Sequence, residues 1–137
     1  MKKFDNFSKA LDNLIGSSDY QPPYTPTIQA GIVALFKICY EQAWKMTKEL
    51  LEYHGLNPDE FSSPRPITKL AFQHKMINDQ KTWLDMLDSR NELTHTYSEE
   101  DSFEAINKIR TQYVPLFIAL RTEVLDKWLP EKQINNP

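Results

Sequence analysis

Residues 28 to 55 read I-Q-A-G-I-V-A-L-F-K-I-C-Y-E-Q-A-W-K-M-T-K-E-L-L-E-Y-H-G. Ile28, Ile32, Leu35, Cys39, Ala43, Met46, Leu50 and Tyr53 recur at steps of 4, 3, 4, 4, 3, 4 and 3. Those steps place all eight on one stripe of a single long α-helix. His54-Gly55 closes it, glycine being favoured just past a helix end, and the His54 ring is expected to meet the last carbonyls of its own helix. A lone amphipathic helix of this length leaves its apolar stripe in water, so the rest of the chain must supply further stripes to cover it.

It does. Phe4, Phe7, Leu11 and Leu14 form a first stripe that stops at Gly16-Ser17-Ser18. A short helix is expected from Pro66 to about Met76, with Pro66 in its first turn. Asn78 or Asp79 reads as the N-cap of a fourth helix bearing Trp83, Met86, Leu87 and Leu93. After Ser98 the sequence S-E-E-D makes a capping box. The last stripe then runs Phe103, Ile106, Arg110, Tyr113, Phe117, Leu120, Val124, Trp128. Pro115 lies inside it and predicts a kink around Thr111. No run alternates as a strand does. The expected fold class is all-α, an antiparallel four-helix up-and-down bundle with one additional short helix. The bundle domain is expected over residues 1–130, followed by a polar tail at 131–137.

Composition narrows the function. The 137 residues carry a net charge of -3, with 16 Lys and Arg against 19 Asp and Glu. That excludes a generally basic face for nucleic acid and leaves only a local site or a seam between subunits. The single Cys39 sits in an apolar run, as a buried thiol of a reducing compartment would. No apolar core follows the M-K-K-F-D-N-F start, and the long uncharged stretch from Tyr20 to Phe36 is rich in Pro, Gln and Thr. A cytoplasmic protein is expected, without a membrane span. Tyr20, Tyr24 and Trp128 are candidate contact aromatics, whereas Trp44 and Trp83 fall on apolar stripes.

One stretch concentrates chemistry: Ser89 to Tyr97, S-R-N-E-L-T-H-T-Y. Glu92 and His95 make an E-x-x-H, a spacing used by di-metal bundles. Such sites need a second copy, and Leu51 and Ala71 stand where His54 and His74 would require glutamates, so no metal or other cofactor is expected. Asp85, Asp88 and Glu92 form an acidic helix face suited to water. Gly16-Ser17-Ser18-Asp19 is a helix stop, because no D-x-D accompanies it as a nucleotidyltransferase would demand. Arg90 and His95 lie about 140° apart on a continuous helix, so they converge within one chain only if the helix frays after about Leu93 or Arg90 reaches back. Spacing alone leaves two readings open. One is helix-end ion pairing and capping. The other is metal-independent RNA cleavage, with His95 moving a proton and Arg90 holding a phosphate.

Arg90-Asn91-Glu92-Leu93-Thr94-His95-Thr96-Tyr97 resembles the R-x4-H-x-Y motif of HEPN domains. Y-E-Q-A-W-K at Tyr40 to Lys45, L-L-E-Y-H-G at Leu50 to Gly55, S-P-R at Ser63 to Arg65 and W-L-D-M-L-D-S-R-N at Trp83 to Asn91 narrow it. Together they resemble the HEPN subfamily of nucleotidyltransferase substrate-binding proteins, which includes HepT-like toxins. The likeness spans about Phe4 to Trp128. It implies a homodimer whose two motifs face one cleft, with Arg90 and His95 catalytic and Asn91 supporting. It implies RNA as substrate, a small nucleotidyltransferase as neutralising partner in a toxin–antitoxin pair, and Tyr97 as a site contact that the partner would AMPylate. Relatives often carry Arg-Phe-Glu where this chain has Leu35-Phe36-Lys37, which leaves Glu41, one turn on, to support the motif's arginine. The same family also carries an alternative reading, a non-catalytic substrate-binding subunit of a two-component nucleotidyltransferase.

Overall fold

In a computed structural model of the chain, residues 1–56, 63–95 and 99–130 are described, with 94, 95 and 99 described by their backbone alone. The described residues form helices and connecting turns, with no strand among them. Helix α1 spans Lys2–Gly16, α2 Pro26–Tyr53, α3 Pro64–Gln73 and α4 Gln80–His95. The last helix is divided into α5, Glu99–Lys108, and α6, Val114–Lys127, by a π-helical turn at Ile109–Tyr113. The expected all-α antiparallel bundle with one short helix, α3, is the observed one. Ser98 and residues 131–137 lie outside the described residues, and with them the capping box and the tail.

The local signals act much as their chemistry requires. The Thr25 hydroxyl accepts the Ile28 N–H at 3.2 Å, with Pro26 in the first turn of α2. Of the two N-cap candidates for α4, Asp79 serves, its carboxylate accepting the Thr82 N–H at 3.1 Å. Gly55 takes φ +76, the left-handed value that ends α2. Helix α3 begins at Pro64, two residues before the expected start, so both prolines fall in its first turn.

The core lies where α1, α2, α4 and the last helix meet. Phe117 is its hinge: its ring meets Phe7 at 6.1 Å, Phe36 at 6.3 Å and Trp83 at 5.6 Å. Phe36 also stacks on Tyr113 at 5.6 Å. Cys39 is fully buried between these layers, and burial pushes its thiol well above the ordinary range.

Pro115 explains the π turn. It lacks an N–H and its ring crowds the carbonyl four residues back, so the helix widens just before it instead of merely bending. The wide turn corrects the expected stripe. Up to its first residue the buried positions are Ser102, Ile106 and Ile109, each at or one residue before the expected place, while Phe103 is 47 % exposed. Arg110, displaced from the stripe, reaches the segment after α1: its Nη2 donates to the Ser17 and Tyr20 carbonyls, both at 2.8 Å, and its Nη1 to the Tyr24 hydroxyl.

Two further expectations are corrected. The His54 ring meets not its own helix's carbonyls but that of Trp128, with Nε2 at 2.9 Å, tying the end of α2 to the end of α6. Tyr24 lies beneath Arg110 and Trp128 donates from Nε1 to Glu123 at 3.1 Å, so of the three candidate contact aromatics only Tyr20 is widely exposed. None of the helices is long and apolar enough to cross a membrane, among the described residues.

Candidate functional site at the seam of helices α2 and α4

The seam is built by the middle of α2 and the last two turns of α4. Helix α4 stays helical through His95, so it does not fray after Leu93, and positions 90 and 95 remain on different flanks. Arg90 reaches sideways to α2 instead. Its Nη2 donates to Glu41 Oε2 at 2.8 Å and its Nη1 to the Asn91 side-chain oxygen at 2.9 Å. The guanidinium carbon stands 5.7 Å from the centre of the Tyr40 ring, a cation–π distance. The Arg90 side chain is 27 % exposed.

Glu41 is the hub of this arrangement. Besides Arg90, its Oε2 accepts the Trp44 indole N–H at 3.1 Å, and Lys45 stands 3.2 Å from Oε1. Partial burial alone would raise the Glu41 carboxyl, but the bonds from Trp44, Lys45 and Arg90 outweigh it, and the group stays below its ordinary value. Glu41 is therefore an anion at neutral pH. Tyr40 is wholly buried, and burial drives its phenol upward against the nearby Arg90, so it remains protonated. Among the described residues its hydroxyl has no hydrogen-bond partner of good geometry, with Thr68 as its polar neighbour.

Of the residues nominated from sequence, Arg90, Asn91 and Glu41 thus come together. The backbone of His95 ends α4, and Tyr97 lies outside the described residues. Sequence reasoning missed Tyr40 and Trp44 as neighbours of the arginine. The available signal was the spacing of Glu41, Trp44 and Lys45 at i, i+3 and i+4, which puts all three on one turn-to-turn face.

The opposite flank of α4 differs in charge. Ser89, Glu92 and Leu93 of α4 face Asp101, Glu104, Ala105 and Lys108 of α5 across a groove of about 170 Å³. Among the described residues that line it, three carboxylates stand with one ammonium. The acidic face is partly paired as well, Asp88 with Arg65 at 2.8 Å and Asp85 with Lys81 at 3.1 Å. Among the described residues no three His, Cys, Asp or Glu side chains are grouped to hold a metal ion.

A family model described as nucleotidyltransferase substrate binding protein like matches residues 2–126. The chain belongs to that family. Within this nucleotidyltransferase substrate-binding family, a Haemophilus influenzae protein named probable ribonuclease HepT is 30 % identical over 94 residues, covering 66 % of this chain and 64 % of that protein. The alignment therefore spans less than two thirds of that relative's length. A solved H. influenzae structure, described as the fold of a substrate binding domain of a nucleotidyltransferase, superposes with a TM-score of 0.75. It is 22 % identical and covers 89 % of this chain and 98 % of its own. A Thermus thermophilus structure gives 0.67 at 21 % identity, with the same coverages. These two establish the shared fold. As a member of the HEPN and HepT-like group, the chain carries the R-x4-H-x-Y sequence from Arg90, on α4, to Tyr97.

Proposed function

We propose that the protein is a HEPN-type ribonuclease that cuts RNA without a metal ion, works as a cytoplasmic homodimer and is neutralised by a small nucleotidyltransferase. The working unit is one domain over residues 1–130, with 131–137 as a tail. His95 takes the proton of a ribose 2′-hydroxyl as that oxygen attacks the adjacent phosphorus. The P–O5′ bond breaks, the leaving 5′-oxygen takes up the proton that His95 accepted, and the products end in a 2′,3′-cyclic phosphate and a 5′-hydroxyl. Arg90 binds the phosphate and stabilises the charge gathered on it in the transition state. Asn91 and Glu41 orient Arg90. Tyr97 borders the site, and an AMP placed there by the partner adds bulk and negative charge that exclude the substrate phosphate.

The observation that carries this reading is the fixing of Arg90 by Glu41 at 2.8 Å over the Tyr40 ring. A merely solubilising arginine needs neither. The wide angular separation of positions 90 and 95 favours two copies meeting across one cleft, so that the arginine of one stands near the histidine of the other. Such a cleft is locally cationic on a protein of net charge -3.

The test incubates wild type and His95→Ala with bulk tRNA in EDTA. Wild type alone should release fragments ending in 2′,3′-cyclic phosphate, and His95→Ala should lose at least about 100-fold in rate with thermal unfolding unchanged. Full cleavage by the variant would overturn the mechanism. The description of the family itself favours a second reading, a subunit that holds substrate for a nucleotidyltransferase. Under it both proteins leave RNA intact, and Arg90→Ala weakens nucleotidyl transfer by the partner.

A further inference from the structure

We propose that Trp44 is a positioning residue for Arg90, acting through Glu41. The kinetic side of this inference rests on the nuclease reading, while its structural side stands by itself.

Glu41 has a long side chain, 34 % exposed, and on its own it would move among several rotamers. What holds it is a set of donors of unequal stiffness. Lys45, 48 % exposed, ends in a flexible ammonium. Trp44 is different: its indole is half-buried against the core and, with Tyr40, Ile67, Thr68, Trp83 and Leu120, lines a small, partly open pocket between α2, α3, α4 and α6. Packing therefore fixes where its N–H points. That N–H meets the same Oε2 that accepts Arg90, at 3.1 Å against 2.8 Å. The carboxylate oxygen is thus set from one side by a rigid ring and hands its position to the guanidinium on the other. The Tyr40 ring, 5.7 Å away, supports the guanidinium from below but does not set its rotation. Without the indole N–H, Glu41 keeps only the flexible Lys45 and Arg90 itself as donors, so its carboxylate, and the bond it makes to Arg90 Nη2, lose their fixed position.

The consequence falls on the transition state. Attraction of a cation for a phosphate weakens slowly with small displacements, so ground-state binding survives a shift of part of an ångström. Stabilising the charge that builds up on particular oxygens requires aligned N–H groups, and that is lost.

Trp44→Phe keeps an aromatic ring against the core but takes away the indole N–H together with the smaller ring that carries it, and Glu41→Gln, at a partly exposed site, leaves the fold in place. In wild type the side-chain N–H resonances of Arg90, assigned by their absence from Arg90→Lys, should be resolved by hindered rotation. They should merge in Trp44→Phe and in Glu41→Gln. In cleavage, Trp44→Phe should lower kcat about tenfold with KM unchanged. Combined with Glu41→Gln it should do no further harm, because the two act along one path. Arg90 resonances in Trp44→Phe that match wild type would overturn the proposal, as would effects of the two substitutions that multiply. If wild type cuts no RNA the nuclease reading falls, and the Arg90 resonances still decide whether Trp44 positions it.

Discussion

At the scale of single residues, the informative group is Glu41, a carboxylate shared by an arginine, an indole and a lysine. Its folded value lies below the ordinary 4.5, so the sign of its pH dependence is set. A depressed carboxyl stabilises the fold fully above its unfolded value, and that contribution drains away as pH falls through the lower, folded one. Glu41→Gln should therefore lower the urea midpoint at pH 7, and the deficit should shrink on acidification below about pH 4.5. A deficit that stayed constant down to about pH 3 would mean that the ionised form makes no special contribution. The neighbouring Arg90 tells a related story about reading sequences. Its partner was foreseeable because Glu41 is the acidic residue one turn beyond Lys37 on the same face of α2. Tyr40 and Trp44 escaped notice because an aromatic on an apolar stripe is first of all a core residue, and both indeed pack against the core.

At the scale of elements, helices were legible wherever their signals were local. The stripe of α2, its glycine stop and the Asp79 cap each depend on residues within a few positions of one another. The π turn was legible only as a break: Pro115 announced where regularity fails but not that the helix would widen there and move Phe103 outward. Arg110 and His54 could not be read at all. Their acceptors lie 93 and 74 positions away in sequence, at Ser17 and Trp128, and no spacing rule reaches that far. Arg110→Ala should cost about 2 kcal/mol, as a charged donor shared by several oxygens is lost. Amides from Ser17 to Tyr24 should then exchange with solvent markedly faster than in wild type, while those of α2 hardly change. Gly31 offers the opposite case. It lies on the exposed side of α2, and a methyl group there would meet nothing within 4 Å. Gly31→Ala should therefore raise stability by about 0.5–1 kcal/mol in urea unfolding of the isolated subunit. A loss of stability that deepens with protein concentration would mean that this face is closely covered by a second copy.

At the scale of the whole molecule, one aromatic joint holds three helices to the last one. Phe117 touches rings from α1, α2 and α4, so Phe117→Ala should cost about 3–5 kcal/mol, measured by denaturant unfolding. A much smaller loss would mean that the surrounding rings collapse into the space. The same joint keeps the α2–α4 seam at a fixed width, and charge divides about α4: a guanidinium faces α2, while carboxylates line the groove toward α5. The lone thiol, finally, makes the protein its own stopwatch. Cys39 adjoins Tyr40, has no exposed surface and is held in its unreactive form by its surroundings. A thiol reagent can then label it only as often as the bundle opens, and the labelling rate would count those openings directly, without a dye or an engineered tag.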